Sequence, residues 1–170
     1  MSADHAWRAL DQVSALIRFA DAKAVAALSV SSVLGGWDLT TFPPRHLLGG
    51  EMGRTLLVAG SLTALAVSAS FALLAIRPQT RTAFGGSVIH FEEAARRFGS
   101  DPDRFARSCE SLFAADNRVT DAICRQLGVN AILATRKFRN VNRAFTAFAF
   151  GLGFAAAATL ASSLLIARAG

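Results

Sequence analysis

Residues 130–167 read NAILATRKFRNVNRAFTAFAFGLGFAAAATLASSLLIA, a stretch with no proline. Its first part, Asn130 to Arg143, is polar and basic, with Arg136, Lys137, Arg139 and Arg143, and 24 uncharged residues then separate Arg143 from Arg168. Nothing between the two parts breaks a helix, so the whole reads as one. At about 1.5 Å per residue it would run roughly 57 Å. That length crosses a hydrocarbon core of about 30 Å and leaves a basic stalk of about four turns in water. A helix of this kind ties events in solution to a membrane.

The rest of the composition agrees with an integral membrane protein. Of the 170 residues, 52% are hydrophobic, and the mean hydropathy of +0.38 is high for a soluble domain. A second window, Thr55 to Ile76, holds 22 uncharged residues between Arg54 and Arg77. A first window is less apolar, because only Ala24 to Trp37 is free of charge and a full span must begin near Ile17 and include Asp21 and Lys23. The charged amphipathic stretch before it and the further spans after it are unlike a cleavable signal peptide. The sequence therefore predicts an all-α integral membrane protein with three transmembrane helices and a helical-bundle cytoplasmic region. The expected segments are an N-terminal helix over 1–20, spans over 17–37, 55–77 and 144–167, an extracytoplasmic hairpin over 38–54 and a cytoplasmic region over 78–143.

Orientation follows from the basic residues. Twelve of the 18 Lys and Arg lie between Arg77 and Arg143, whereas the connection from Trp37 to Thr55 holds only Arg45 and Arg54. Basic residues stay on the cytoplasmic side, so the N-terminus and the middle segment are expected inside the cell, with the short hairpin outside. The formal charge of +6 then reflects this bias and anionic lipid headgroups, and nucleic acid is not an expected partner. Cys109 and Cys124 fall in the cytoplasmic segment, where thiols stay reduced.

Periodicity fills in the elements. Ala6, Leu10, Val13, Ile17, Ala20 and Ala24 recur in steps of three and four and share one helix face that leads into the first span. That helix is expected to end at Gly35-Gly36, before Trp37 at the outer interface and the Pro43-Pro44 and Gly49-Gly50 turns. Small residues at helical spacing, Ala27, Ser31 and Gly35 in the first span and Gly60, Ala64 and Ser68 in the second, would let backbones approach closely. Pro78 ends the second span. A helix over 87–98 stops at Gly99, and Asp101 with Pro102 and Asp103 reads as the capped start of a helix reaching Leu127. Its apolar face, Phe105, Cys109, Leu112, Val119, Ile123 and Leu127, is interrupted by Asp116. Gly128 is expected to separate this helix from the one that begins at Asn130.

No constellation for catalysis stands out. His5, His46 and His90 fall on two sides of the expected membrane without ligand-spaced partners, so a metal site is not expected. Glu92 and Glu93 are adjacent and do not share a face. The Gly-Leu-Gly at 151–153 lies in an apolar run with no lysine, unlike a phosphate loop. The expectation is that the chain is not an enzyme and needs no cofactor. Two polar features remain. Asp21 and Lys23 lie in the first span, where charges are costly and functional by default. Lys23 can snorkel to the inner interface, while Asp21 needs a partner, and Arg18, Lys137 and Arg143 are the candidates. Around one helical hairpin, Asp116, Asn117, Arg118, Arg125, Gln126, Asn130, Arg136, Lys137 and Arg139 supply many hydrogen-bonding groups. They read either as a solvated hairpin or as a pocket for a small anion, with arginines for a phosphate and Asp, Asn or Gln for base edges.

These residues bring a family into view. Phe19-Ala20-Asp21-Ala22-Lys23-Ala24 resembles the Asp-x-Lys-Ala signature that opens the first span of bacterial Pycsar transmembrane effectors. Arg125-Gln126-Leu127 and Lys137-Phe138 resemble that family's Gln-Ile and Lys-Tyr positions before its last span, with Phe138 standing where the family has tyrosine. The likeness covers nearly the whole chain. It implies an antiphage, abortive-infection effector of the bacterial inner membrane, activated by cyclic CMP or cyclic UMP (cCMP or cUMP) from a partner pyrimidine cyclase and impairing membrane integrity. Oligomers are expected, because three alanine-rich helices cannot enclose an aqueous pore alone. The alternative is a non-conducting adaptor or sensor, anchored in the lipid bilayer, that recruits a soluble partner through its cytoplasmic helical bundle.

Overall fold

The structure is a computed structural model that describes residues 3–42, 52–77 and 97–169. Four helices are delimited among these residues, and no strand: α1 (Ala3–Thr41), α2 (Met52–Ile76), α3 (Pro102–Phe113) and α4 (Asp116–Ala169). The Pro43-Pro44 and Gly49-Gly50 turns, most of the helix expected over 87–98, and the residues Arg45, His46, Pro78, His90, Glu92 and Glu93 lie outside the described residues. The chain divides into two compact units, one formed by Met1–Phe19 with Pro78–Arg136 and the other by Ala20–Arg77 with Lys137–Gly170.

The first unit packs the start of α1 on the start of α4. Ala6 and Leu10 meet Val119 and Ile123, with Leu127 against them, so the three-four stripe along residues 6–24 begins to bury here. Asp101 caps α3 through its Oδ1, which accepts from the Arg104 backbone N–H at 2.9 Å, and Pro102 occupies the first turn, where a missing N–H costs nothing. Before the cap, Gly99 takes a φ of 56° that L residues rarely adopt, which ends the preceding turn. Phe98 and Phe105 then meet edge to face, with ring centroids 5.5 Å apart.

The second unit is a three-helix packing of small side chains. On α2 the buried residues are Val58, Ser61, Leu65, Ser68, Ala72 and Ala75, an unbroken three-four stripe of the kind that seats one helix along another. Three clusters stack along it. Ala20, Ala24, Ala75 and Val141 form one, Ala27, Ala72 and Ala144 the next, and Phe42, Val58 and Ala158 the third. The first two join all three helices, and the third joins α2 and α4 to Phe42, the residue that follows α1. The small-residue reading is met at Ala27, at Gly60, where a Cβ would stand 3.4 Å from the Phe154 ring, and at Ser31 and Ser68, whose buried hydroxyls meet at 2.9 Å.

Four expectations change. Two helices among the described residues, not three, are long and apolar enough to cross a membrane, Met52–Ile76 and the Asp116–Leu164 part of α4. The first window, residues 17–37, fails because its uncharged run, 24–37, would cover only about 21 Å as a helix and includes three serines and two glycines. Second, α1 does not stop at Gly35-Gly36 but continues to Thr41, since burial of Phe42 just beyond it and the Ser61–Asp38 hydrogen bond hold this end against α2 despite the weak helix propensity of two glycines. Third, the helix expected over 102–127 breaks at Ala114-Ala115. Asp116 interrupts the apolar stripe because it opens α4, where an acidic first turn suits the helix dipole. Fourth, Gly128 does not separate two helices, because it lies inside α4 with open space around it.

Two glycine substitutions in α4 should act in opposite directions. A Cβ at Gly128 meets nothing within 4 Å, whereas at Gly151 it would lie 2.9 Å from Cγ and Cδ2 of buried Leu65. Gly128→Ala should stabilise by up to about 1 kcal/mol through helix propensity, and Gly151→Ala should destabilise by about 1–3 kcal/mol through overpacking. Unfolding in detergent followed by far-ultraviolet circular dichroism measures both, and a destabilising Gly128→Ala would contradict the continuity of α4.

Candidate functional site

The polar residues on α4 divide according to what holds them. Asp116, Asn117 and Arg118 are exposed at the start of the helix. There the Arg118 backbone N–H donates to the Asn117 Oδ1 at 2.8 Å and lies 3.0 Å from the Ala115 carbonyl, so Asn117 helps satisfy the first turn. Arg125 is exposed and forms a one-turn ion pair with Asp121, its Nε and Nη2 each 3.0 Å from Oδ2. Gln126 is buried, and its Nε2 donates to the Asn130 Oδ1 at 3.0 Å, again one turn along the same helix. Arg136 is exposed. From Asp116 to Arg136 is 20 residues, about 30 Å of helix axis. In the first unit these seven groups therefore line one helix, many of them paired to their own neighbours, and do not converge on one point. Arg118 and Arg136 point their charge to solvent, where a phosphate can reach it.

The other two members of the set, Lys137 and Arg139, belong to the second unit. Arg139 is exposed. Lys137 is buried on the α4 stripe, and its Nζ donates to the Asp21 Oδ1 of α1. Of the three candidate partners for Asp21, the structure selects this one. The lysine side chain is 7% exposed and the aspartate 38% exposed, so the cation is the member that depends on the pair. Around it, Ala20, Ala24, Val141 and Phe138 supply apolar walls. One turn and a half further along α4, the Arg143 guanidinium sits 5.7 Å from the centre of the Phe71 ring on α2. Lys23 is exposed beside Asp21. The second unit thus carries a basic collar of exposed residues, Lys23, Arg77, Arg139 and Arg143, together with the Asp21–Lys137 ion pair.

A second buried polar group escapes a reading of the sequence. Asp38 of α1 is 1% exposed, and its Oδ2 accepts from the Ser61 Oγ of α2 at 2.5 Å. The signal is present in the stripe itself. Residues 24, 31 and 38 are seven apart and occupy the same face, but ending the helix at Gly35-Gly36 moves Asp38 into a loop. Among the described residues no group of three or more His, Cys, Asp or Glu is placed to hold a metal ion. Cys109 and Cys124 are half-buried free thiols.

The family described as the Pycsar effector protein domain matches residues 5–166. No curated protein and no solved structure matches the chain.

Removing one partner of the Asp21–Lys137 pair should cost more on one side than on the other. Asp21→Ala leaves a buried ammonium and should destabilise by about 2–3 kcal/mol, below the full penalty of a wholly buried pair because Asp21 reaches solvent. Lys137→Met, which removes the buried charge and keeps the volume, should recover most of that loss in the Asp21→Ala background. Lys23→Ala should be milder than Asp21→Ala. Thermal unfolding in detergent of the parent, Lys23→Ala, Asp21→Ala, Lys137→Met and the Asp21→Ala/Lys137→Met double variant checks the order, and an additive double variant would show that the two side chains do not act as a pair.

Proposed function

We propose, because the chain belongs to the Pycsar effector family, that it is an antiphage membrane effector switched on by a cyclic pyrimidine nucleotide from a partner cyclase. The family match over residues 5–166 is the observation that carries this reading. In it, the second unit is the membrane part. The apolar helices α2 and the Asp116–Leu164 part of α4 are long enough to cross the bilayer, and α1 packs against both. The basic collar faces the cytoplasmic side of the inner membrane, with the N-terminus inside, as the excess of Lys and Arg over 77–143 favours.

The first unit is the sensing part. Its exposed arginines Arg118 and Arg136 suit the phosphate of cCMP or cUMP, with Arg125 joining them once it parts from Asp121, and Gln126 and Asn130 suit base edges once they release each other. Because these groups line one helix of the chain, a bound nucleotide takes its remaining contacts from a second copy, and the working form is a homo-oligomer. The chain performs no catalysis of its own. Nucleotide binding favours one arrangement of the sensing helices, and α1 and α4, which each run through both units without a break, carry the change to the membrane part. The outcome is impaired inner-membrane integrity, which stops growth of the infected cell.

Co-expression with a pyrimidine cyclase tests the reading. Membrane depolarisation, followed with a potential-sensitive dye, should appear with an active cyclase and be absent with a catalytically dead one. Arg118→Ala together with Arg136→Ala should weaken the response by roughly tenfold or more in the nucleotide dose, the effect of losing charge-assisted phosphate contacts. Intact membranes under all conditions, with the protein present and correctly inserted, would instead favour the adaptor that recruits a soluble partner.

A further inference from the structure

The buried Asp38 has a surplus of acceptors around it. Its carboxylate reaches one donor, the Ser61 hydroxyl, at 2.5 Å from Oδ2. The same Ser61 Oγ lies 3.0 Å from the Gly151 carbonyl of α4. A serine hydroxyl has a single hydrogen, so it cannot satisfy both oxygens. The second carboxylate oxygen, Oδ1, is buried and has no hydrogen-bond partner among the described residues. Three helices thus bring two carboxylate oxygens, a hydroxyl and a carbonyl together in an apolar unit.

Charge deepens the mismatch. On α2 the one ionisable side chain is Arg54, seven residues from Ser61 and so about 10 Å away along the axis. Its own Nε is buried without a partner, so this guanidinium nitrogen does not serve the Asp38 carboxylate. On α4 no charged residue occurs between Arg143 and Arg168, and on α1 the nearest is Lys23, 15 residues back. Among the described residues, then, no cation is placed beside the Asp38 carboxylate, and a buried carboxylate requires a partner.

We propose that Asp38, Ser61 and the Gly151 carbonyl form a binding site for one monovalent cation, either a proton on the carboxyl group or an alkali-metal ion held among the oxygens. The proton count supports the site. A hydrogen on Oδ2 donates to Ser61 Oγ, Ser61 donates its own hydrogen to the Gly151 carbonyl, and each hydrogen then has one acceptor. An alkali-metal ion would meet the oxygen-only donor set that hard cations take. The close approach that places the carbonyl there depends on Gly151, where a Cβ would strike Leu65.

The experiment uses the full chain in a neutral detergent, with no cyclase and no nucleotide, so that its failure leaves the effector reading untouched. Two signals are recorded at neutral pH: the infrared C=O stretch of a neutral carboxyl group, and the unfolding temperature in sodium, potassium and choline chloride at equal ionic strength. A proton is expected to give a neutral-carboxyl band that Asp38→Asn removes and Ser61→Ala shifts in frequency, with the same unfolding temperature in all three salts. An alkali-metal ion is expected to give no such band and a higher unfolding temperature in sodium or potassium than in choline. Asp38→Asn should abolish that salt difference, and Ser61→Ala should raise the salt concentration needed by roughly tenfold. Should Asp38→Asn not fold, the wild-type protein and Ser61→Ala still decide the matter. Absence of the band together with equal stability in the three salts would overturn the proposal, because Asp38 would then be ionised with no cation bound.

Discussion

Ala20, Ala24, Ala27 and Ser31 on α1 face a row on α2 that includes Ser61, Ser68, Ala72 and Ala75, and so little side chain leaves the helix axes close together. Where the contact is tightest, at Gly151, the Leu65 backbone nitrogen of α2 would stand 3.4 Å from a Cβ. In lipid, where apolar side chains gain nothing by leaving the solvent, association depends on such close packing and on hydrogen bonds between helices. Short side chains bring the polar groups of one helix within reach of the next. The Ser31–Ser68 contact, the Ser61–Asp38 contact and the approach of Ser61 to the Gly151 carbonyl all follow from that spacing. A larger residue at any of these positions would separate the backbones and break the polar contacts together.

The polar groups on these stripes differ in what they contribute. A serine pair between helices is worth about 0.6 kcal/mol on average, which biases register more than it stabilises. The Asp21–Lys137 pair carries a larger penalty when broken than gain when formed, because desolvation offsets much of its attraction. Its effect is therefore on choice of arrangement. A one-residue shift of α4 along α1 would take the buried ammonium away from its carboxylate, whereas the surrounding alanines and Val141 would tolerate the slide. Specificity in this unit resides in the charged pair and closeness in the alanines.

Much of this is legible in the sequence, and the failures have physical causes. The stripe over residues 6–24, the small-residue faces, the Asp101 cap and the candidate partners of Asp21 depend on local spacing and side-chain chemistry, which the sequence states directly. Gly35-Gly36 and Gly128 read as helix ends because glycine costs about 1 kcal/mol inside a helix, yet tertiary contacts of Phe42 and Asp38 in the first case, and burial of Ile123 and Ala134 in the second, outweigh that cost. The true break, at Ala114-Ala115, carries no breaker residue. Its only trace is Asp116 on an otherwise apolar face, a first-turn acid that looks like a core defect. The polar groups of α4 are the least legible part. Composition counts Arg125, Gln126 and Asn130 as donors and acceptors, but Arg125 is engaged by Asp121, and Gln126 by Asn130. Sequence alone does not reveal which polar groups already serve each other.

Position gives the Asp21–Lys137 pair a further consequence. The chain passes from one compact unit to the other between Phe19 and Ala20 on α1 and between Arg136 and Lys137 on α4. Asp21 is the second residue of α1 inside the second unit, and Lys137 is its first residue on α4. The ion pair therefore pins the two helices to each other where they enter that unit. A turn of α4 about its own axis by one residue, roughly 100°, would take the Lys137 side chain off the face that meets Asp21 and move the ammonium out of its apolar walls. A displacement of that size would leave the ammonium without its carboxylate, whereas smaller ones keep the salt bridge. The pair therefore fixes which face of α4 meets α1 at that end of the second unit, and the alanine contacts beyond it follow from that choice.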